Sequence, residues 1–129
     1  MSSVDNAVKV FRQLEPEDFR VLQVIEADMG RHRYVPEQEL PKLANLNRRE
    51  LDFRLSRLNK FSLIERWVSH YTGYVLYTSG YDCLAINALV KAGTLEALGK
   101  PLGVGKEADV YYALTPQTVQ VAVKFHHLS

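Results

Sequence analysis

The sequence has almost no cysteine, no long apolar run and no signal-peptide pattern. Cys83 is the only cysteine among 129 residues, which excludes an intramolecular disulfide and a cysteine-rich zinc site. A lone thiol suits a reducing compartment, and the polar first residues lack the features of a secretion signal. No apolar stretch approaches the roughly 18 residues of a membrane span. These absences predict a cytoplasmic protein.

An excess of charge is missing as well. The chain carries 16 Lys and Arg against 15 Asp and Glu, a net charge of +1, so no global field attracts nucleic acid or a membrane. A basic binding site must therefore be local. The chain is 47% apolar and 24% charged, which is ordinary for a soluble globular protein, and its length holds about one domain.

The N-terminal half shows a succession of helical patterns. Residues 1–14 predict a short helix. Pro16 suits the first position of the next helix, and Gly30 suits its end. Between them, apolar residues recur every three or four positions and predict one buried stripe: Phe19, Leu22, Ile25 and Met29. Pro36 opens a third helix whose inward positions are Leu40, Leu43 and Ala44, followed by a turn at Asn45–Leu46.

A fourth helix is predicted from Asn47 to about Asn59 or Phe61. Asn47 with Glu50 three residues on forms a capping-box pattern. At 100° per residue, one face is apolar, and it consists of Leu51, Leu55 and Leu58. The opposite face consists of Arg49, Phe53, Ser56, Arg57 and Lys60. Two helices joined by a short turn, the second with a basic outer face, predict a helix-turn-helix.

The residues that follow predict a hairpin and a further helix. Leu63–Val68 and Tyr74–Thr78 are rich in strand-forming residues, with a turn at Tyr71–Gly73, so the wing tip is expected around His70 to Gly73. The helix from Ser79 to the residues before Gly93 has its expected inner face at Tyr81, Leu84, Ala85, Ala88 and Leu89. A short helix is predicted at Leu95–Leu98. Together, these elements predict a winged helix.

From Lys100 the pattern changes to strands, at Pro101–Val104, Ala108–Leu114 and Val119–His126. A glycine-rich turn, Gly103-Val104-Gly105-Lys106-Glu107, separates the first two strands. Glycine lets the backbone approach a phosphate closely, because it has no Cβ and accepts positive φ. Lys124, in Val-Ala-Val-Lys of the third strand, can supply a point charge.

These motifs resemble the nucleotide loop and the lysine strand of protein kinases, although Ala108 replaces the third glycine. Gly-Val-Gly-Lys-Glu-Ala-Asp-Val-Tyr is similar to the loop of the RIO family of atypical protein kinases. Pro-Glu-Asp-Phe-Arg-Val-Leu and Gly-Tyr-Val-Leu-Tyr-Thr-Ser-Gly-Tyr-Asp-Cys-Leu-Ala resemble the winged helix of its second subfamily. The resemblance runs from about Val8 to Leu128.

The resemblance implies an α+β fold: a winged helix-turn-helix over 1–92, a connecting helix over 93–99, and the first three strands of a kinase-like N-terminal lobe over 100–129. It implies the N-terminal portion of a RIO-type atypical serine/threonine kinase or ATPase that acts in maturation of the small ribosomal subunit. ATP with Mg²⁺ or Mn²⁺ is the implied cofactor. Its expected contacts are Gly103, Val104, Gly105, Lys106, Glu107, Val110, Ala122 and Lys124.

No catalytic residue is expected in these 129 residues. In RIO kinases the catalytic aspartate and the metal ligands lie far downstream of the lysine strand. The chain alone is therefore expected to be inactive and to bind nucleotide poorly. Glu107 could orient Lys106 or face water, and the sequence leaves both open.

In the nucleic-acid interpretation, pre-ribosomal RNA is the implied partner of a monomeric protein. The expected contacts are Arg48, Arg49, Arg57 and Lys60 on the helix, and His70 and Tyr71 on the wing. A merely solvated basic face remains possible. The alternatives are a free-standing winged-helix regulator that binds DNA as a dimer, and a protein-interaction module that uses the basic face and Phe53.

The remaining residues with reactive or metal-binding side chains predict no further site. Four histidines, His32, His70, His126 and His127, show no metal-ligand spacing to a carboxylate or thiol, so no metal site is expected. Cys83 is expected to be a small buried apolar residue, and Trp67 to pack within the hairpin.

Overall fold

The computed structural model describes residues 3–93, 97–104, 108–115 and 120–126. In these ranges, none of the helices has the length and apolar character that crossing a membrane requires. The helices are α1 (Ser3–Phe11), α2 (Pro16–Asp28), α3 (Leu40–Ala44), α4 (Arg48–Lys60) and α5 (Thr78–Lys91), with a 3-10 turn at Glu37–Glu39. The strands are β1 (Val35–Pro36), β2 (Ile64–Val68), β3 (Thr72–Leu76), β4 (Ala97–Val104), β5 (Ala108–Leu114) and β6 (Gln120–His126). The expected α+β class is confirmed.

The predicted helix-turn-helix is present in α3 and α4. Asn45 adopts a left-handed conformation with φ of 53°, which ends α3 and turns the chain. Asn47 caps α4, because its side-chain oxygen accepts a hydrogen bond of 2.8 Å from the backbone N–H of Glu50. The Glu50 carboxylate instead accepts a hydrogen bond from Arg54.

The hydrophobic core lies where α2, α4 and the first sheet meet. The predicted apolar face of α4, Leu51, Leu55 and Leu58, is buried against Leu22 and Ile25 of α2. The inward position of Leu43 was wrong, since its side chain is 46% exposed. Leu40 and Ala44 lie one turn apart and face the core, whereas Leu43 lies about 60° from Leu40 and about 100° from Ala44, at the edge of the inner face of this short helix.

The wing differs from its prediction in the position of the turn. β1, β3 and β2 form an antiparallel sheet in that order, and the hairpin turns at Ser69–Tyr71. Gly73 lies within β3, paired with Trp67 on one side and Pro36 on the other. A Cβ at Gly73 would lie 2.8 Å from the Cβ of Tyr34, so close packing, rather than a turn, requires this glycine.

The inner face predicted for α5 was wrong in part, since Tyr81 and Leu84 do pack against the core. Ala85 and Ala88 are exposed, whereas Cys83 and Ile86 are buried. Apolar residues occur on nearly every side of α5, so their periodicity does not select a face. Gly80 decides the packing, because a Cβ there would overlap the backbone carbonyl of Leu63. The prediction that Cys83 is a small buried residue is confirmed.

The C-terminal strands form an antiparallel sheet in the order β4-β5-β6. Ala97 and Leu98 pair with Leu114 and Ala113, so the helix predicted at Leu95–Leu98 is contradicted at its last two residues by strand pairing. The three predicted strands are confirmed with small changes of bounds. Phe125 of β6 is buried in the same apolar cluster as the winged-helix core, which joins the second sheet to the N-terminal part.

Candidate nucleic-acid interface and nucleotide site

A continuous basic and aromatic strip runs along the solvent side of α4. Arg49, Phe53, Ser56 and Lys60 are all exposed and follow one another at spacings of four, three and four residues. We call these four residues the outer stripe. Phe53 is 51% exposed, and the guanidinium of Arg54 lies 5.0 Å from the centroid of its ring. Arg49 and Lys60 have no ion-pair partner in the part of the chain that the structure describes.

Arg48, beside the outer stripe, is held by two carboxylates. It forms ion pairs with Glu37 at 2.8 Å and with Asp52 at 3.1 Å. Glu37 also accepts a hydrogen bond of 3.0 Å from the hydroxyl of Tyr74. Burial alone would raise the pKa of Glu37, but the hydrogen bonds from Arg48 and Tyr74 outweigh it and lower the pKa. Burial and the Glu37 carboxylate raise the pKa of Tyr74 to about 12.

Arg57 does not lie on the outer face where the helical wheel places it. Its side chain is only 26% exposed and reaches back toward the start of α2. There Nη2 donates a hydrogen bond of 2.7 Å to the carbonyl oxygen of Gln13 and approaches Asp18 to 3.4 Å. The helical wheel gives only the direction of the Cβ, and an arginine is long enough to cross to a neighbouring helix.

Arg54 was not among the residues singled out from the sequence. It is 7% exposed and forms ion pairs with Glu15 at 2.7 Å, Glu50 at 2.8 Å and Asp18 at 3.4 Å. Burial alone would lower the pKa of Arg54, but the hydrogen bonds to Glu15 and Glu50 outweigh burial and raise the pKa. The guanidinium therefore stays charged. Arg54 therefore fixes α4 against the start of α2. Its position could be predicted from the wheel, but its three partners could not.

The two predicted wing residues have different environments. The Tyr71 hydroxyl donates a hydrogen bond of 3.0 Å to the carbonyl oxygen of Tyr34. Tyr34 stacks on Trp67 with ring centroids 4.6 Å apart, and the edge of Tyr71 meets Trp67 at 5.1 Å, which confirms the packing role of Trp67. His70 is exposed at the tip. Thus His70 can reach a ligand, whereas Tyr71 is occupied in shaping the wing.

A polar groove of about 290 Å³ separates α4 from the wing. Its walls carry both signs of charge, since Asp52 and Glu37 face Arg66 across it. The remaining lining residues are Leu55, Ser56, Asn59 and Tyr74. The groove adjoins the outer stripe at Ser56.

The second sheet brings three of the predicted nucleotide contacts into one row. Gly103 pairs with Val110 across β4 and β5, and Val110 pairs with Lys124 across β5 and β6. The side chains of Ala122 and Lys124 are exposed, whereas Phe125 is buried on the opposite face of β6. Val104 lies in β4. The predicted contacts Gly105, Lys106 and Glu107 lie outside the described residues.

One histidine has carboxylate neighbours, contrary to the expectation from sequence. Nε2 of His32 lies 3.3 Å from Glu39 and 3.7 Å from Asp28. The spacing of four residues between Asp28 and His32 was the signal that the sequence contained.

Comparison with known proteins places this geometry in a family. The family model described as Rio2, N-terminal, matches residues 11–92. The chain is 46% identical over 98 residues to the RIO-type serine/threonine-protein kinase Rio2 of Methanocaldococcus jannaschii, covering 76% of this chain and 35% of that protein. It is 35% identical over 120 residues to the serine/threonine-protein kinase rio2 of Dictyostelium discoideum, covering 93% and 23%.

A solved structure supports the same relationship. The Rio2 kinase of Chaetomium thermophilum, in an ADP/Mg²⁺-phosphoaspartate complex, superposes with a TM-score of 0.86 at 30% identity, covering 94% of this chain and 37% of that one. This chain thus spans about a quarter to a third of the length of its relatives. Sequence and fold agree across both the winged helix and the second sheet, and the chain belongs to the Rio2 family.

Proposed function

We propose that this protein acts as a RIO-type atypical serine/threonine kinase or ATPase in maturation of the small ribosomal subunit. In this proposal the winged helix docks a monomer on pre-ribosomal RNA in the cytoplasm. The row of β4, β5 and β6 contributes phosphate contacts for ATP with Mg²⁺. The family membership and the ADP/Mg²⁺ complex of the Chaetomium relative support the nucleotide part.

The observation that carries RNA docking is the outer stripe. Two cations that have no ion-pair partner among the described residues flank the exposed ring of Phe53, and Arg54 holds this helix from beneath. A cation without a carboxylate partner gives up no ion pair when it contacts phosphate, and an exposed ring can stack on an unpaired base. Arg49, Lys60 and His70 become the proposed RNA contacts.

The other predicted contacts take positioning roles in this proposal. Arg48 ties the start of α4 to Glu37, Arg57 ties α4 to Gln13, and Tyr71 supports the wing. An ion-paired arginine can still contact phosphate, but it then replaces a carboxylate partner with a phosphate, and this exchange adds little to the binding free energy.

The salt dependence of binding tests the RNA proposal. Fluorescence anisotropy with a labelled RNA hairpin from the small subunit should give a slope of log affinity against log salt of roughly −1.4 to −1.8, since two neutralised phosphates contribute about 0.7 to 0.9 each. The double variant Arg49→Ala with Lys60→Ala should lose most of this slope. Lys9→Ala with Lys91→Ala removes two exposed cations from α1 and α5 and should keep it.

Phe53→Ala separates stacking from charge. It should weaken binding by about 1–3 kcal/mol while leaving the salt slope unchanged. If Arg49→Ala with Lys60→Ala and Lys9→Ala with Lys91→Ala reduced the salt slope equally, the outer stripe would not be the docking surface. Tighter binding to a palindromic DNA duplex, together with a dimer in solution, would favour the DNA-regulator alternative.

The nucleotide part rests on Lys124. Its side chain is exposed and has no ion-pair partner among the described residues, and its backbone position lies in one row with Gly103. A lysine in the same cross-strand row as Gly103 fits the phosphates of ATP. Gly103 and Val104 would approach the phosphates through their backbone, and Ala122 and Val110 would border the base.

When bound, ATP with Mg²⁺ supplies the phosphoryl group. The role of Lys124 in this chain is to orient and neutralise the phosphate oxygens. In the full-length protein, Lys124→Ala should weaken ATP binding at least about tenfold, measured by calorimetry. Lys91→Ala, on α5, should bind ATP normally. Unchanged affinity in Lys124→Ala would refute this assignment.

A further inference from the structure

Asp28, His32 and Glu39 form a cluster that belongs neither to the proposed RNA contacts nor to the proposed nucleotide site. Asp28 is the last residue of α2, His32 lies in the following loop, and Glu39 ends the 3-10 turn that leads into α3. One possible ligand atom from each residue lies within 4.8 Å of the other two. Three separate local elements therefore converge on one point.

Asp28 is an unfavourable residue at its position unless a cation joins it. It is 8% exposed, and its Oδ2 atom is buried and has no hydrogen-bond partner in the described part of the chain. The C-terminus of a helix carries partial negative charge, so a carboxylate there is repelled by the helix dipole. An unsatisfied buried carboxylate oxygen costs free energy. This oxygen points to the same place as the His32 imidazole.

The two distances from His32 within the cluster are close to those around a tetrahedral metal ion. Zinc bonds to nitrogen and carboxylate oxygen of about 2.0–2.2 Å, at tetrahedral angles, place two ligand atoms about 3.3–3.6 Å apart. Nε2 of His32 lies 3.3 Å from Oε2 of Glu39 and 3.7 Å from Oδ2 of Asp28. One imidazole and two carboxylates are a ligand set that zinc and its neighbours in the first transition row accept.

We infer that Asp28, His32 and Glu39 bind a divalent transition-metal ion, with zinc as the best fit, and that the ion links the end of α2 to the entry of α3. The side chains of His32 and Glu39 are 35% and 48% exposed, so the ion can enter from solvent and keep a water in the fourth position. The site is structural. It fixes the loop from which the helix-turn-helix begins.

Metal titration of the chain, freed of metal by chelation, tests the inference. Zinc should bind at one equivalent, and Co²⁺ in its place should give the intense visible absorption of a tetrahedral site. His32→Ala should weaken zinc binding at least about tenfold, and Glu39→Gln should weaken it less, because its carboxylate is the more exposed. His70→Ala, which removes an exposed histidine from the wing tip, should bind zinc normally.

Thermal unfolding supplies a second readout. Zinc should raise the Tm of the wild-type chain and leave that of His32→Ala unchanged, since a ligand of the native state stabilises it by mass action. Asp28→Asn should abolish zinc binding yet raise the Tm of the metal-free chain, because it removes a buried charge without changing shape. If Asp28 instead serves to pair with the His32 side chain, Asp28→Asn would lower that Tm. That result, or zinc binding unaffected by His32→Ala, would overturn the inference.

Discussion

Replacement of Arg54 by methionine is the most informative test of how α4 is held in place. Methionine keeps most of the volume of the arginine stem but removes the guanidinium that joins α4 to α2. The change leaves three carboxylates without their shared cation: Glu15, Asp18 and Glu50. Glu15 and Glu50 are partly exposed and can be solvated, whereas Asp18 is fully buried and keeps the backbone N–H of Glu15 at 2.8 Å and Arg57 at 3.4 Å.

The magnitude follows from this difference in burial. Exposed pairs of the Glu50 kind contribute at most about 1 kcal/mol, whereas leaving a buried charge without its partner costs about 3–5 kcal/mol. Because Arg57 still offers partial compensation to Asp18, we expect a loss of about 3 kcal/mol in the free energy of unfolding. At roughly 4 °C per kcal/mol for a chain of this size, the Tm should fall by about 12 °C.

Urea unfolding followed by circular dichroism measures this loss, with Arg49→Met as the matched control on the exposed face of α4. The control should change the free energy of unfolding by less than about 0.5 kcal/mol. Adding Asp18→Asn to Arg54→Met should recover much of the loss, because the buried charge is then gone. A loss below 1 kcal/mol in Arg54→Met, or no recovery in the double variant, would refute the view that a buried charge anchors α4.

Three further predictions concern residues away from this network. Gly80→Ala should destabilise the fold by about 2 kcal/mol in urea unfolding, because the new Cβ overlaps the Leu63 carbonyl, whereas Gly30→Ala, which meets only an atom at 3.8 Å, should not. Burial raises the pKa of Cys83 to about 12, so this thiol should resist a disulfide reagent at pH 8 until urea unfolds the chain; rapid reaction in the folded state would contradict its burial. The folded-state pKa of Glu37 lies below its ordinary value of 4.5, so its contribution to stability is present above pH 4.5 and is lost as the pH falls through the folded pKa. Glu37→Gln should therefore flatten the acid limb of a plot of Tm against pH, and an unchanged limb would count against its ion pair.

Periodicity in the sequence predicted those parts of the fold in which a single side of an element is apolar. Leu51, Leu55 and Leu58 lie on a helix that is polar apart from these residues and Phe53, so their burial could be predicted. In α5, by contrast, apolar residues surround the axis, and the buried side was decided by close approach at Gly80. Contacts of this kind depend on a partner far along the chain, which no local pattern reveals.

The candidate surfaces also combine features that local sequence predicts with features that depend on distant parts of the chain. The outer face of α4 was predicted from its wheel, but which of its cations are free depends on the carboxylates that neighbouring elements bring near. Arg57 finds Gln13 and Asp18, some 40 residues earlier in the chain, whereas Arg49 finds none in the described ranges. The nucleotide contacts were predicted from the glycine-rich turn and the lysine strand taken together. Strand pairing then places Gly103 and Lys124 in one row, because both pair with Val110 of β5.

The aromatic stack of the wing gives the protein a built-in optical probe. Trp67 is the only tryptophan in the sequence, and it lies face to face with Tyr34 and edge to face with Tyr71. Tryptophan emission therefore reports on one place alone, the β2–β3 hairpin that has His70 at its tip. A partner that docks against the wing changes the surroundings of that indole, so the bound and free states differ in intrinsic fluorescence without any attached label.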